Sequence, residues 1–372
     1  MHVLLDATAV PADRGGVGRY VDELVPELDR AGVRLTIAAQ SRDQDLFAGL
    51  APHAEIVAVP PALERRPRRM AWEQTGLPAL VRRVRPDVVH SPHYTMPLAA
   101  GVPVVVTLHD ATFFTTPDLH LRSKAVFFRN AIRVAASRAA GLITPSMATR
   151  DEVVRLVGAD PDKFHVAYHG VDHDRFHAVP AADAARVRSS LGIGDADYVG
   201  FLGTLEPRKN VPALVRAWVR ACEGLDQPPA LVLAGGKGWD ESIDTAVAAV
   251  PGHLTVRRPG YLPLDDLPGF LAGARILAYP SLGEGFGLPV LEAMACGATV
   301  LTTRELSLPE VGGDAVAYCG TDDASIATEL RALLEDAPRR AVLAEAAVER
   351  AAGFTWAAAA QAHVTAYENA LR

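Results

Sequence analysis

Residues 279–300, YPSLGEGFGLPVLEAMACGATV, constrain the fold more than any other stretch of this chain. The apolar run Ala274–Tyr279, broken by a single Arg, has the composition of a strand buried on both faces, as in a parallel sheet. It stops at Pro280, and a turn rich in Ser and Gly follows. Pro289 stands where the first helical residue belongs, and Val290–Cys296 continues as helix to a stop at Gly297. A buried strand that hands its loop to a helix N-terminus needs neighbours of the same kind to cover it, so this stretch predicts an α/β sheet.

The loop also carries chemistry. Free N–H groups at a helix N-terminus, reached through Gly285 and Gly287, form an anion site. Glu284 in the loop and Glu292 in the helix stand eight positions apart. Two carboxylates repel a bare phosphate, but a carboxylate accepts hydrogen bonds from vicinal hydroxyls, which a nucleotide sugar carries on both sides of its diphosphate. Glu284 then suits the sugar and Glu292 the ribose, with the backbone N–H groups around Gly287 and Leu288 on the phosphates. The alternative makes Glu292 a favourable charge near a helix start and Glu284 an exposed loop acid. The pair inside one strand–loop–helix unit favours the first reading.

A second signal follows the strand Asp197–Leu202, which ends at Gly203 and opens into TLEPRKN. Arg208 and Lys209 there lie beside a helix N-terminus, the wrong end of the macrodipole for cations. An anion at that point offsets the local cost, and a guanidinium fork with an ammonium suits a diphosphate. A solvated basic turn is the alternative. Gly235-Gly236, after the strand Ala230–Ala234, marks a turn or a place where another backbone approaches.

Taken in order, strands are expected at His2–Leu5, Arg34–Ala39, Glu55–Val59, Asp87–His90, Pro103–His109, Gly141–Thr144 and Lys163–Tyr168, with helices between them at about 69–85 and Leu121–Ala139. The loop GGVGRY after the first strand, with Gly15, Gly16 and Gly18, is either a phosphate-facing turn or a flexible one. A second alternating series has strands at 197–202, 230–234, 254–257, 275–279, 299–301 and 315–319. The expected fold is therefore α/β, with two doubly wound Rossmann-like domains facing each other across a cleft. The expected boundaries are 1–173 for an acceptor-side domain, 174–196 for the connection, and 197–354 for the nucleotide-sugar domain.

A length of 372 residues suits two domains, and 49% apolar content with 22% charge describes a soluble globular chain. MHVLLDATAV has no basic leader and meets Asp6 early, so no signal peptide is expected, and no apolar run reaches the roughly 18 residues of a membrane span. Cys222, Cys296 and Cys319 lack metal-like spacing and fit a reducing cytoplasm. Residues 1–173 hold 20 basic and 19 acidic side chains and the rest 17 and 25, but 56–150 alone hold 13 and 5. Within that basic region Arg65, Arg66, Arg68 and Arg69, and the segment 121–138 with Phe127-Phe128, have the profile of a surface resting on anionic lipid, with buried aromatics and solvated arginines as the alternative. Nucleic acid is not expected, since the net charge is −7 and no binding module is present. His165, His169, His173 and His177 imitate a helical metal stripe, but Gly170 interrupts the helix, and no metal site is expected. His90 and His93 follow the strand DVVH either toward an acceptor or onto plain surface.

Across nearly its whole length the chain resembles a family 4 retaining glycosyltransferase of the GT-B fold. The resemblance rests on GGVGRY, VVTLHD, ITPS, HGVDHDRF, GTLEPRKN and GEGFGLPVLEAMACG. It implies Arg208 and Lys209 on the donor diphosphate, Glu284 on sugar hydroxyls, Glu292 on the ribose, His109 close to the transferred sugar, and Gly16 near phosphate or acceptor. For His109-Asp110, a strand-end cap is the competing reading. The resemblance also implies a final helix, 355–372, that crosses back to the first domain, and protein cations in place of a metal, which leaves Asp172 and Asp174 as structural residues. The implied reaction retains the donor's anomeric configuration, with no cofactor beyond the nucleotide-sugar and with a glycan or lipid-linked acceptor. LLDATAV with GGVGRY is similar to bacterial members acting on mannose in surface polysaccharides, so GDP-mannose is the expected donor, with UDP-glucose and UDP-N-acetylglucosamine as alternatives. A sugar-nucleotide epimerase or a binding protein on the same fold is the reading from another class. The expected location is cytoplasmic, with peripheral contact at the inner face of the membrane.

Overall fold

A computed structural model of the chain describes residues 1–12, 14–115, 122–194 and 196–372. Among them two compact units separate, Met1–Gly170 with Thr355–Arg372, and Val171–Phe354.

The first unit begins with β1 (His2–Asp6), α1 (Gly16–Arg30), β2 (Arg34–Gln40), α2 (Gln44–Leu50), β3 (Glu55–Val59) and α3 (Arg66–Val84). It continues with β4 (Val88–Ser91), β5 (Val104–Thr107), α4 (Thr112–Thr115), α5 (Arg122–Arg138), β6 (Gly141–Thr144), α6 (Met147–Val157) and β7 (Phe164–Val166). The second unit comprises α7 (Ala181–Ser190), β8 (Tyr198–Leu202), α8 (Val211–Ala221), β9 (Ala230–Ala234), α9 (Ser242–Ala248), β10 (Val256–Gly260) and α10 (Leu267–Gly273). After these come β11 (Ile276–Tyr279), α11 (Leu288–Ala295), β12 (Val300–Thr303), α12 (Leu308–Gly312), β13 (Ala317–Cys319), α13 (Asp323–Glu335) and α14 (Ala337–Ala351), and α15 (Trp356–Ala370) ends the chain. Leu121, the first residue of an expected helix, and Asp195, in the expected connection, lie outside the described residues.

Both sheets are parallel. The first runs β3-β2-β1-β4-β5-β6-β7 and the second β10-β9-β8-β11-β12-β13. In each, the chain winds outward to one edge and then returns to the middle, so the strand order reverses between β1 and β4 and between β8 and β11. Such a reversal parts the loops at the carboxyl ends of the two central strands and leaves a crevice there. The strands earn their central place by composition: β11 and β12 are fully buried, and seven of the eight residues of α11 are buried as well. An element apolar on every side has to lie inside. The short helices α2 and α9 escaped the sequence reading because each buries only one or two side chains, Phe47 in the first and Ile243 with Ala246 in the second.

Residues 174–196, expected as a connection, are built into the second unit instead. Helix α7 packs on α10, where Gly269 meets Val187 and Gly273 meets Ala184. The glycines of α10 are what allow these two helices to approach.

Helix α15 belongs to the first unit, against α1 and strands β5 to β7. Its buried stripe is Trp356, Ala359, Ala360, His363, Ala366 and Tyr367, an i, i+3, i+4, i+7 pattern with two polar members. Gly170 of HGVDHDRF makes the docking possible: a Cβ there would stand 2.1 Å from the backbone nitrogen of Trp356. The polar members enter a buried chain of hydrogen bonds. His363 Nδ1 lies 2.7 Å from the Ala359 carbonyl, to which only an N–H can donate, so Nε2 accepts from the Tyr20 hydroxyl at 2.7 Å. Tyr20 in turn accepts from Thr107 at 2.9 Å, Thr107 accepts from His90 Nε2–H at 2.9 Å, and His90 Nδ1 accepts from the Tyr367 hydroxyl at 2.8 Å. One carbonyl thereby orients every proton from α15 through the sheet and back to α15. Burial keeps both histidines neutral, holding His363 at about 4 and His90 well below its ordinary value. His90 is therefore part of this latch and neither surface nor acceptor contact.

Candidate active site in the second unit

The reversal between β8 and β11 brings together two loops that are about 75 residues apart in sequence. The turn Pro207–Lys209 follows β8, and 280–287 follow β11. Arg208 donates from Nη2 to Glu206 Oε1 at 2.7 Å and from Nη1 to the Gly283 carbonyl at 2.6 Å and to Glu284 Oε2 at 2.5 Å. Lys209 Nζ donates to Glu284 Oε1 at 2.6 Å and to the Tyr279 hydroxyl at 2.6 Å. Glu284 Oε1 also accepts from Ser281 at 2.6 Å and from Tyr279 at 3.1 Å. The Tyr279 ring is stacked on Phe201 and carries the Lys209 ammonium over its face at 5.0 Å. Neither Tyr279, Ser281 nor Glu206 had been singled out from sequence, although all three sit inside the motifs that were.

The electrostatics follow from this packing. Burial alone raises a carboxyl, but Arg208, Lys209 and the hydrogen bonds from Lys209 and Ser281 outweigh it and hold Glu284 at about 2. Burial, with Arg208 beside it, lowers Lys209 against the pull of Glu284 and Glu206. Burial and the Glu284 charge push Tyr279 well up, so its hydroxyl keeps its proton. The reading of Glu284 as an exposed loop acid is thus replaced, since its side chain is 8% exposed. In the structure it is Glu206 and Glu284 that offset the adjacent cations.

Glu292 lies buried on α11, and its charge adds to the burial that pushes the Cys296 thiol up to about 12. Gly287 is the N-cap of α11 at φ 108°, a backbone that glycine adopts without strain, and Leu288 opens the helix. Gly203 follows β8, and the backbone that approaches Gly235 is its own: a Cβ on Gly235 would meet the Gly203 carbonyl oxygen at 2.2 Å. Burial raises Cys222 to about 11 and Cys319 to about 12, so neither is a poised nucleophile.

The chain is similar to known proteins in sequence and in fold. Residues 14–175 match the sequence model of Glycosyltransferase Family 4, and 183–350 match Glycosyl transferases group 1. The chain is 31% identical over 402 residues to a D-inositol 3-phosphate glycosyltransferase of Saccharomonospora viridis, covering 96% of this chain and 90% of that one. The chain belongs to the family 4 glycosyltransferases. It is also 28% identical to the O-antigen chain mannosyltransferase B of Escherichia coli, over 99% of this chain and 100% of that one. Among solved structures, Anabaena HepE in complex with UDP-glucose superposes with a TM-score of 0.78 at 19% identity, covering 98% of this chain and 99% of that one. WaaG, a glycosyltransferase involved in lipopolysaccharide biosynthesis, does so at 0.71 and 17%, with 95% of each chain covered. These likenesses show the α/β two-domain GT-B fold.

In the first unit of this glycosyltransferase, His109 is part-buried after β5, with its Nε2 2.7 Å from the Pro92 carbonyl and its ring edge-on to Tyr20 at 5.0 Å. The N–H must sit on Nε2, which leaves Nδ1 as the acceptor. Asp110 caps the following turn by accepting from Thr112 N and Oγ1, so the cap reading holds for the aspartate. Gly16 begins α1, with nothing within 4 Å of the place a Cβ would occupy. Asp172 accepts from the backbone N–H groups of Asp174 and Arg175 and pairs with Arg175 at 3.5 Å, a turn within the second unit.

The basic surface is smaller and less aromatic than the sequence suggested. Arg69 is buried against Glu73 at 3.1 Å, while Arg65, Arg66 and Arg68 are exposed. Phe128 is buried and stacks on Phe113 at 4.6 Å, and Arg66 lies over the Phe127 ring at 4.8 Å. Among the described residues, no helix is long and apolar enough to cross a membrane.

Proposed function

We propose that this glycosyltransferase moves a hexose, with retention of anomeric configuration and without a metal, from a nucleoside-diphosphate sugar to a glycan or lipid-linked acceptor. The observation that carries the reading is the convergence of Arg208, Lys209 and Glu284 at the carboxyl end of β8 and β11, beside the N-terminus of α11. Arg208, Lys209 and the backbone around Gly203, Gly287 and Leu288 take the diphosphate, Glu292 the ribose and Glu284 the sugar hydroxyls. His109 offers its Nδ1 to a sugar hydroxyl, and Gly16 leaves the start of α1 open to phosphate or acceptor.

In the reaction the acceptor oxygen attacks the anomeric carbon on the face from which the diphosphate departs. The bond from that carbon to the phosphate oxygen breaks, and the departing oxygen takes the acceptor's proton. No protein carboxylate serves as nucleophile. The chain supplies orientation and stabilises the charge that builds on the leaving group.

GDP-mannose is the proposed donor, supported by the likeness to the O-antigen mannosyltransferase; the likeness to HepE with bound UDP-glucose supports UDP-glucose as the second candidate. The proposed place of action is the cytoplasmic face of an anionic membrane, supported by the exposed Arg65, Arg66 and Arg68. A thermal-shift panel of nucleoside diphosphates tests the donor, since a ligand at 100 times its Kd adds about 2.7 kcal/mol. Glu284→Ala is expected to abolish transfer while a nucleoside diphosphate still binds, and Lys209→Ala to weaken binding and turnover together. Near-normal turnover in Glu284→Ala would remove that residue from the site.

A further inference from the structure

The proposed donor site is already occupied by the protein's own anions, and the two carboxylates are held very differently. Glu284 is bonded by Arg208, Lys209, Ser281 and Tyr279. Among the described residues, Arg208 is the one side chain bonded to the Glu206 carboxylate, at 2.7 Å. Glu206 stands on extended backbone just before the turn Pro207–Lys209, and its side chain is 14% exposed. A rotation of that side chain gives up only its bond from Arg208 Nη2, while Nη1 stays on Gly283 and Glu284 and the turn stays intact, whereas moving Glu284 breaks four contacts.

A bare guanidinium and ammonium beside helix N-termini would take up any oxyanion, inorganic phosphate included. With Glu206 in place, an incoming anion has to replace a charge-assisted hydrogen bond that the site already makes. A single phosphate exchanges one anion for another on Arg208. A diphosphate makes that exchange and has a second phosphate left for further donors. We propose that Glu206 is an intramolecular stand-in for the donor diphosphate and sets the site's selectivity for nucleoside diphosphates over single oxyanions. The proposal rests on the donor-site reading above.

Calorimetric titration of the full-length protein with GDP, UDP and inorganic phosphate tests it, using Glu206→Gln and Glu206→Ala. Both variants are expected to bind inorganic phosphate about tenfold tighter, because a competing charge-assisted hydrogen bond of about 1.5 kcal/mol is gone. The nucleoside diphosphate is expected to gain less, so the ratio between the two ligands falls. In turnover the donor KM falls with kcat, because the diphosphate product leaves more slowly. Phosphate affinity equal to or weaker than that of the unmodified protein in both variants overturns the proposal. Lys209→Ala separates that failure from failure of the site itself. If Lys209→Ala loses nucleoside diphosphate binding, the donor site stands and only the role of Glu206 is wrong; if binding is unchanged, the donor-site reading has failed and the proposal with it.

Discussion

Replacing Glu284 by Gln exposes how strongly the site's charges are bound to the fold. The carboxyl ordinarily titrates at 4.5 and is held at about 2 by Arg208, Lys209 and Ser281 against the opposing effect of burial. Held there, the charged form favours the folded second unit by about 3 kcal/mol at neutral pH, at 1.36 kcal/mol per pH unit. The sign follows from which state takes protons first. An unfolded chain protonates Glu284 as the pH drops through 4.5, while the folded unit keeps the charge until about 2, so the contribution is whole above 4.5 and is lost toward 2. By about pH 3.5 roughly 1 kcal/mol of it is gone. Glu284→Gln has no charge to lose and leaves Lys209 and Arg208 facing an amide. The expected gap between the two proteins is about 3 kcal/mol near pH 7, narrowing by roughly 1 kcal/mol at about pH 3.5. Urea unfolding read by hydrogen exchange in peptides of β8 and β11 measures it, with peptides of β1 and β5 as the control in the first unit. A gap that stays constant between the two pH values would refute the reasoning, as would one below about 1 kcal/mol near pH 7.

Three other outcomes are expected. Transfer activity is expected to survive EDTA if, as proposed, protein cations hold the diphosphate; loss on chelation with recovery on Mg²⁺ or Mn²⁺ would sink the metal-free scheme. Tyr20→Phe leaves Thr107 and His363 without their shared partner in a buried site and lowers the stability of the first unit by about 2–4 kcal/mol in urea unfolding. A loss under about 0.5 kcal/mol would mean the hydrogen-bond chain does not hold α15. The enzyme sediments with anionic vesicles at low salt and less at high salt, and reversing Arg65, Arg66 and Arg68 abolishes this; binding indifferent to those changes would leave a soluble acceptor.

Several features of this glycosyltransferase are determined by local sequence. Apolar runs such as 230–234 and 276–279 are buried strands, Pro289 stands in the first turn of a helix, and Gly297 follows its end. Repeated strand–helix alternation makes parallel sheets, and the motifs around Arg208 and Glu284 held residues that the fold brings together. Tertiary structure decided what those residues touch. Sequence pattern reads neighbours along the chain, and Arg208 meets Glu284 only because β8 and β11 are adjacent at the point where the strand order reverses. For the same reason the anions offsetting the cation pair, Glu206 and Glu284, became visible only in the folded unit. His90 and His363 carry no local sign that they share a hydrogen-bond chain, since their partners lie on one strand and two helices, up to 343 residues away. Phe128 and Arg69 looked like surface because their neighbours in sequence are basic, yet packing on Phe113 and pairing with Glu73 bury them. Periodicity and turn chemistry are properties of a few consecutive residues; the ionisation and accessibility of a side chain depend on everything folded around it.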